Sequence, residues 1–498
     1  MELYLPYDKY LEQYGHKSDA LFQVCKDNIL NGTLKVGSKM PSSREVATRY
    51  GLSRGTVNVV YEMLQSQGFV QSILGSGTYV VYDELYVERE EFNEELLSTD
   101  FLSEWGKRLT ELEYLRHDQV TRKHSTGNEI SFSLGQVDLK HFPMQDWNRL
   151  LFEQVRKQYD KEMGDAYSSD GHQALKEGIV HHLRLFRGIQ ANQEDIVIVN
   201  GSQQAITLAI QLLINAGDYV AMEDPHYVGA RNAILSAGGI VHAFPIDREG
   251  MIFHPSEDFH YKLVMVTASR QFPTGAVLSM KRRLQLLNWA EENNSYIIED
   301  DYDSEFQHYG RANEPLKSLD KQGRVIYMGT FSRTMMQDIR LGYVILPSAL
   351  KKWFSLAKQV YERHPLSIIE QRALAQFMNT GLYDRHIRRM NRVYRRKAER
   401  LFALLTLHLS HVVELYPIES GLHIFVKWKA HLVQYELFLD RCIQDNLSIV
   451  DVRNNYVNDS ELAFCLGFAH LTDTQIDDGV MRMKIIIDDV MSEEGKLT

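Results

Sequence analysis

The stretch Ile196-Val197-Ile198-Val199-Asn200-Gly201-Ser202-Gln203-Gln204-Ala205 joins a short β-rich run, through a glycine, to the start of a helix. Two further β-rich runs, Leu263–Val266 and Tyr296–Ile298, also alternate with helical stretches. This alternation predicts an α/β fold with a mostly parallel sheet and helices on both faces. Because a helix that begins directly after a strand presents free N–H groups, the turn is a candidate phosphate cradle, with Ser202 and Gln203 as ligands.

The bulk composition limits the classes of function. At 498 residues, with 44% hydrophobic and 24% charged residues, the chain is long enough for about three structural units. Its net charge of −11 repels phosphate, so any contact with nucleic acid needs a local basic surface. The three cysteines lack CxxC spacing, and no segment reaches the roughly 18 apolar residues of a membrane span. We therefore expect a cytoplasmic protein with no membrane partner and no metal site.

Shifts in composition divide the chain into three parts. Residues 1–82 form a small N-terminal domain, and residues 83–128 are an acidic, solvated linker. Residues 129–498 carry the α/β pattern, and a smaller C-terminal α+β subdomain is expected from about residue 350. The sequence thus predicts a multidomain protein.

The N-terminal part has its own order of elements. A helix-like segment at Ala20–Leu30 precedes Pro41–Leu64, in which two short helices are separated at Gly51. After these come two β-rich runs, Phe69–Ile73 and Thr78–Val81, joined by a glycine-rich turn. A helix, a helix-turn-helix and a hairpin together predict a winged helix, in which Ser42 or Ser43 caps the first short helix and Ser53 the second.

A helix-turn-helix reads DNA through the N-terminal residues of its second helix, which here are Arg54 and Thr56. A guanidinium can bond guanine O6 and N7 together, so Arg54 is the best candidate for a base contact. Isolated arginines are usually solvated surface charges, but the surrounding turn and hairpin favour DNA binding. The remaining predicted DNA contacts, which position the domain or allow close approach of the wing, are Lys39, Ser43, Arg44, Ser53, Gly75 and Gly77.

Three motifs resemble, in order, the winged helix of GntR-family bacterial regulators. They are Pro41–Glu45, Ser53–Val57 and Gly75–Val80. The rest of the chain, with Phe142-Pro143, Tyr167, Gly171 and Leu466–Ala469, resembles the aminotransferase-like domain of MocR-type members. The resemblance implies a homodimer that binds double-stranded operator DNA and senses pyridoxal 5′-phosphate, sometimes with an amine or amino acid.

The resemblance also implies a cofactor pocket. Tyr227 would stack on the pyridine ring, Asp300 would pair with the ring nitrogen, and Tyr302 would reach the ring hydroxyl. Arg340 would join Ser202 and Gln203 on the phosphate, and Tyr167 would reach the phosphate in the partner's site. The same pocket would include Thr330, Ser332 and Arg333.

Arg333 departs from the family pattern. The Ser-Lys pair of the family is Ser332-Arg333 here, and 322–350 contains no lysine that could replace it. A guanidinium has no free amine lone pair, so it can neither form the Schiff base nor shuttle a proton. The second departure is Cys465, near the position where amino-acid-binding members present an arginine. We therefore predict no catalytic residue and no transaminase activity.

Several alternatives remain open from the sequence. The pocket could bind pyridoxal phosphate reversibly and non-covalently, bind another anion through Arg333, or serve only as a dimerisation scaffold. A pyridoxal-dependent aminotransferase with an accessory DNA-binding domain is the rival function, and a structural DNA-bridging dimer is a third. The basic run His386–Lys397 could extend the DNA footprint, although such runs are more often solvated helix faces paired with acids.

Overall fold

The computed structural model describes residues 5–73, 75–82, 101–112, 129–157, 169–310, 313–458 and 460–493. They fall into two units, Met1–Phe101 and Leu102–Thr498. Tyr167 and most of the stretch predicted as a linker, 83–128, lie outside the described residues. In the described ranges, no helix has both the length and the apolar character needed to cross a bilayer.

The first unit is a winged helix, as the sequence predicts. Its core includes Leu5 and Tyr7, which lie before the region in which helices were predicted, so the short first helix was missed. The elements are α1 Tyr7–Tyr14, α2 Lys17–Leu30, α3 Ser43–Arg49, α4 Arg54–Ser66 and the antiparallel strands β1 Val70–Ile73 and β2 Gly77–Val80.

Side-chain caps determine where α3 and α4 begin. Ser42 Oγ accepts the N–H of Glu45 at 3.3 Å, and the Glu45 carboxylate accepts the N–H of Ser42 at 2.7 Å. Ser53 Oγ accepts the N–H of Thr56 at 3.0 Å. These contacts satisfy N–H groups that have no partner within the helix. Of the two candidate caps of α3, Ser42 is the cap and Ser43 is the first helical residue.

The second unit is built on an eight-stranded sheet in the order β4-β11-β10-β9-β8-β5-β6-β7. The strands β10, β9, β8, β5 and β6 are parallel, whereas β11 runs antiparallel to β10 and β4, and β7 is antiparallel to β6. The prediction of a mostly parallel sheet is confirmed. The strands are β4 Ile196–Val199, β5 Tyr219–Asp224, β6 Ile240–Asp247, β7 Gly250–Met251, β8 Tyr261–Val266, β9 Tyr296–Asp301, β10 Val325–Thr330 and β11 Gly342–Ile345, preceded by β3 Ile130–Ser131.

Both faces of this sheet are buried. On β4, Ile196 and Ile198 join one apolar cluster, whereas Val197 and Val199 join another. Alternate residues of a strand point to opposite faces, so helices must cover both. The helices are α5 Glu104–Glu111, α6 Met144–Lys157, α7 Gln173–Phe186, α8 Ser202–Leu213, α9 Val228–Ser236, α10 Met280–Glu292, α11 Leu316–Leu319, α12 Ser348–Tyr361, α13 Ile368–Asn379, α14 Leu382–Leu409, α15 Leu432–Gln444 and α16 Asp473–Glu493.

A second sheet lies in the C-terminal part of the unit, with the order β12-β13-β16-β15. Here β13 and β16 pair antiparallel over their whole length, from His423 opposite Gly467 to Lys427 opposite Ala463. The strands are β12 Val413–Leu415, β13 His423–Trp428, β14 Leu447–Ser448, β15 Val450–Asp451 and β16 Ala463–Gly467. Strand β14 pairs with β3, so this part of the fold also uses residues from the start of the α/β region.

Helix α5 lies inside the stretch that the sequence assigns to a solvated linker. Its Arg108 Nε donates to the carbonyl of Ser236 at 2.9 Å, and Leu112 at its end is buried. This part of 83–128 therefore packs on the second unit. Helix α5 is held by one arginine and is followed directly by one buried leucine, so this part of the predicted linker is helical and packed.

Gly171 offers a test of the packing under β4. A β-carbon at this position would lie 2.6 Å from Cβ of Ile198, and φ is +105°. We expect Gly171→Ala to lower the free energy of unfolding by at least about 2 kcal/mol, measured by denaturant titration. Gly188→Ala is the control, since φ is +67° and nothing lies within 4 Å, so only backbone strain of about 1 kcal/mol is expected. Equal losses in both variants would contradict the steric argument.

Candidate functional site

The predicted pocket residues come together at the carboxyl ends of the parallel strands. Tyr227 follows β5, Phe272 follows β8, Asp300 is the last residue but one of β9, and Ser332 follows β10. Ring contacts connect them: Phe272 lies edge-on to Tyr227 with ring centroids 6.1 Å apart, and to Tyr302 at 5.9 Å. Open α/β sheets bind ligands at this edge.

One end of the pocket is a cradle for an anion. Gly201, with φ of 78°, turns the chain from β4 into α8, whose first N–H groups face outward from the helix. Arg340 is exposed and adopts a left-handed conformation with φ of 48°, and its Nη2 lies 3.0 Å from where a β-carbon of Gly201 would be. The guanidinium and the helix N-terminus therefore present positive charge to one point.

The other predicted phosphate ligands have different roles. Gln203 Nε2 donates to the carbonyl of Gly229 at 3.0 Å, so its side chain is committed and its main-chain N–H is the part that could bind an anion. Thr330 Oγ1 accepts the N–H of Ser332 at 3.2 Å and so shapes the loop. Ser332 Oγ is buried without a partner among the described residues, which makes it a candidate ligand.

Glu362 supports the cradle from below, although nothing in the sequence pointed to it. Its carboxylate accepts from Asn200 Nδ2 at 3.2 Å, from Gln204 Nε2 at 3.3 Å and from Lys358 Nζ at 2.8 Å. The side chain is 6% exposed. More than 150 residues separate Glu362 from Asn200, so the contact could only be found from tertiary structure.

Asp300 forms the other end of the pocket. It is 6% exposed, and its Oδ1 has no hydrogen-bond partner among the described residues. Its pKa is raised to about 7, chiefly by burial and also by the charge of Asp301, while the guanidinium of Arg333 opposes both effects. A buried carboxylate without a partner fits a ring nitrogen that carries a proton.

The structure corrects the extent of the strand that carries Asp300. The sequence places the acidic run after a strand ending at Ile298, but β9 continues to Asp301, since Asp300 pairs with Met328 and Asp301 with Gly329 on β10. Asp301 is held behind the pocket by Arg187 Nη2 and the Tyr327 hydroxyl, both at 2.6 Å from Oδ2. Asp301 is thus ion-paired with Arg187 and hydrogen-bonded by Tyr327, which a run of acids in a sequence does not show.

Tyr302 has a partner that the sequence did not suggest. Arg270 Nη1 donates to the Tyr302 hydroxyl at 2.9 Å and to Asp303 Oδ2 at 3.3 Å. Arg270 also donates to the carbonyls of Ser420 and His423, at 3.0 and 2.9 Å. Its nitrogens are thus largely committed, and the Tyr302 hydroxyl keeps its own hydrogen to donate to a ligand.

Arg333 lies in the loop that follows β10. Its guanidinium packs on Gly135, where a β-carbon would lie 3.1 Å from Cζ and φ is +91°. It is half-buried and makes no hydrogen bond or ion pair with the residues that the structure describes. Burial raises the pKa of Asp300 and of Asp303, and the charge of Arg333 partly offsets this rise. Arg333 therefore faces the pocket acids without binding them.

The segment that carries Tyr227 is held by the C-terminal subdomain. Asp224 accepts from the N–H groups of Val457 and Asn458, at 2.9 and 3.1 Å. His226 N–H donates to the carbonyl of Asn455 at 2.8 Å. Tyr227 itself is 37% exposed, with its ring at the pocket mouth. A stacking role for Tyr227 is compatible with this placement, while Tyr167 lies outside the described residues.

In the first unit, the predicted DNA contacts lie at the N-terminal ends of α3 and α4 and on or beside the wing. Arg44, Arg54 and Lys39 are exposed. The Thr56 hydroxyl lies 2.9 Å from Ser53 Oγ at the start of α4. Lys39 Nζ lies 6.0 Å from the ring centroid of Tyr79 and 3.3 Å from where a β-carbon of Gly77 would be, so Gly77 is required for this packing.

The remaining predicted features have structural roles. Cys465 is fully buried in β16. In the basic run, Lys397 Nζ donates to Asp138 at 2.7 Å and Arg396 lies 3.5 Å from Asp473, so part of the run is paired with acids, as solvated or buried helix faces usually are. No cluster suited to a metal ion occurs among the described residues.

Two family models match the chain. The aminotransferase class I and II model matches residues 129–482, and the model for bacterial regulatory proteins of the gntR family matches residues 17–80. Among relatives, the probable rhizopine catabolism regulatory protein MocR of Rhizobium meliloti is 32% identical over 82% of this chain and 81% of its own length. The HTH-type transcriptional regulator TauR of Rhodobacter capsulatus is 32% identical over 77% and 78%.

A solved structure shows the same fold as the second unit. The multiple substrate aminotransferase of Thermococcus profundus superposes with a TM-score of 0.71, at 24% identity, over 79% of this chain and 99% of its own. The predicted combination of a winged helix and an aminotransferase-like domain is confirmed by these matches.

Asp300 provides a pH-dependent test of the pocket. Its pKa is about 7 in the fold against 3.8 ordinarily, so the stability that the neutral carboxyl contributes is lost as the pH rises between these values. At roughly pH 8, Asp300→Asn should therefore have a higher free energy of unfolding than wild type, by up to about 4 kcal/mol, and a higher unfolding temperature. Both gains should vanish near pH 4. Asp440→Asn, on an exposed position of α15, is the control. A gain that does not depend on pH would contradict the buried carboxylate.

Proposed function

Because the chain belongs to the MocR-type subfamily of GntR-family transcriptional regulators, we propose that it is a dimeric DNA-binding regulator whose aminotransferase-like domain binds a phosphate-bearing ring without catalysis. The observation that supports ligand binding without catalysis is that Arg333 stands where the family has its lysine, while the other predicted ligand-binding residues are present. Asp300, the cradle at Gly201 and Arg340 do not depend on a lysine. We further propose that the protein acts in the cytoplasm.

The winged helix supports specific DNA recognition. Arg54 is exposed at the first position of α4, where the recognition helix meets base edges. Arg44 and Lys39 are exposed beside it and would hold phosphates, which position the domain without specifying sequence. In a dimer, two such domains would bind two half-sites, and a ligand that changes their spacing would change affinity.

The pocket fits pyridoxal phosphate as a non-covalent ligand. Arg340, Ser332, Ser202 and the first N–H groups of α8 would hold the phosphate. Asp300 would hold the ring nitrogen, which explains why its carboxylate is buried without a partner. When bound to a lysine, this cofactor supplies an electron sink for amine chemistry.

Arg333 argues against the enzymatic alternative, an aminotransferase with an accessory DNA-binding domain. A guanidinium keeps its proton at any working pH, with a pKa above about 12, so it has no amine to attack a carbonyl and cannot act as a base. The remaining pocket groups bind and orient but provide no replacement amine: Lys358 is bound to Glu362 beneath the cradle. Binding without turnover is the consequence.

Replacement of Arg54 tests the DNA-reading role. A duplex selected by the wild-type protein from a random-sequence library serves as the probe, with affinity measured by fluorescence anisotropy. We expect Arg54→Ala to weaken binding by about 10-fold or more and to relax one base position, because a bidentate guanine contact is worth about 1–3 kcal/mol. Arg54→Lys keeps the charge and should still lose the base preference. Gln65→Ala, exposed near the far end of α4, is the control.

Titration with pyridoxal 5′-phosphate tests the ligand. Wild type should show saturable heat by calorimetry and no absorbance band of a lysine adduct, whereas Arg333→Lys should gain that band. Arg340→Gln should weaken binding by about 10-fold or more, since it removes the guanidinium of the cradle. Amine transfer by the wild-type protein would overturn the proposal in favour of the enzyme. Absence of binding would contradict a pyridoxal phosphate sensor and leave either another anionic ligand or a scaffold role.

A further inference from the structure

We propose that the pocket selects a phosphorylated aromatic ring that carries a carboxylate at the position where pyridoxal phosphate carries its aldehyde. This inference rests on the proposed function, because it assumes that Arg340 and the cradle hold the phosphate. It adds a role for Arg333, which becomes a specificity-determining residue that binds the ligand. The site would then recognise an oxidised, acid form of the ring in preference to the aldehyde.

The pocket holds two guanidinium groups that have no protein partner. Arg340 lies against Gly201, and Arg333 lies against Gly135. Neither makes a hydrogen bond or an ion pair within the described part of the chain. A single phosphate would satisfy only the first, so the second calls for another anionic group on the same ligand.

Two other buried arginines of this unit bind protein groups, although Nε of Arg187 has no partner among the described residues. Arg187 binds Asp301 at 2.6 Å and Ser269 at 2.7 Å. Arg283 donates to the carbonyls of Leu278, Ala268 and Glu314, at 2.8, 2.7 and 2.6 Å. A guanidinium removed from water is costly unless its donors are used. Arg333 is the half-buried exception, and its free donors face the ligand space.

Asp300 fixes which part of the ring meets Arg333. If Asp300 binds the ring nitrogen, the substituent opposite that nitrogen points away from Asp300. Arg333 is the residue in the position of the family's lysine, which meets that same substituent. The two side chains are not paired with each other, yet the charge of Arg333 is felt at Asp300. A ring held by Asp300 would then present that substituent to Arg333.

The chemistry of the guanidinium selects the substituent. A carboxylate accepts two parallel hydrogen bonds from a guanidinium, whereas an aldehyde or a hydroxymethyl group offers one neutral oxygen. Arg270, the other cation of this region, is committed to Tyr302, Asp303, Ser420 and His423. Cys465 is buried and neutral, so it does not supply an alternative anion clamp. Arg333 is therefore the cation available for a ring carboxylate.

The test compares two probes on the full-length protein by calorimetry. The probes are 4-pyridoxic acid 5′-phosphate, which carries the carboxylate, and pyridoxine 5′-phosphate, which carries a hydroxymethyl group in its place. We expect the carboxylate probe to bind wild type at least about 10-fold more tightly, since a charge-assisted bidentate pair is worth more than about 1.4 kcal/mol. Equal affinities, or a preference for pyridoxine 5′-phosphate, would overturn the inference.

Variants assign the preference to Arg333. Arg333→Gln should bring the two probes to within about threefold of each other, and Arg333→Lys, which keeps the charge but loses the planar fork, should retain part of the preference. Arg248→Gln removes an arginine that is 84% exposed and should change neither affinity. Thermal unfolding of each variant shows that the fold is retained. A preference that persists in Arg333→Gln would contradict the assignment.

The two proposals fail in different ways. If both probes bind, with loss of binding in Arg340→Gln but no preference between them, the sensor remains and the inference about the carboxylate is wrong. If neither these probes nor pyridoxal 5′-phosphate binds the wild-type protein, the proposed sensor is wrong and both proposals fall. A second readout is the affinity for the selected duplex, which should respond to the carboxylate probe at lower concentration than to pyridoxine 5′-phosphate.

Discussion

The burial of Asp300 at the carboxyl end of β9 is the constraint on which the site depends. The strand lies inside a sheet covered on both faces, so its terminal carboxylate is removed from water. Asp301, the next residue, is ion-paired with Arg187 and hydrogen-bonded by Tyr327, whereas Oδ1 of Asp300 has no partner among the described residues. A negative charge on Asp300 destabilises the fold unless a cationic group of a ligand pairs with it. The pocket is therefore already selective for a ligand with a protonated nitrogen at this point.

The other end of the pocket is organised by a different principle. Main-chain geometry, in the form of Gly201 and the left-handed Arg340, brings a helix N-terminus and a guanidinium to one point. Glu362 fixes this loop from beneath through Asn200 and Gln204. The cradle is thus independent of the lysine position, which is why a single replacement at 333 can remove amine chemistry and leave the binding geometry in place.

Sequence and structure agree most closely where the signal is local. The caps at Ser42 and Ser53, the wing at Gly75 and Gly77, and the turn after β4 were all predicted, because each depends on residues within a few positions of one another. The errors arose where local signals mislead. The stretch predicted as a solvated linker, for which some helix was allowed, contains the packed helix α5. Asp300 was expected at the end of the strand that carries it, and the ladder to β10 extends that strand beyond Ile298 to Asp301.

The sequence alone determined the two-part architecture, the position of the recognition helix and the absence of a lysine at 333, since these follow from local pattern and residue identity. Only the tertiary structure decided which groups are left free. Arg270 bonds both Tyr302 and His423, the latter 153 residues further along the chain, and Glu362 reaches Asn200. Among the described residues, Arg333 and Arg340 have no protein partner, so their donors stay available for a ligand. Hydrogen-bond partners that are distant in sequence are selected by packing, and no periodicity or motif encodes them.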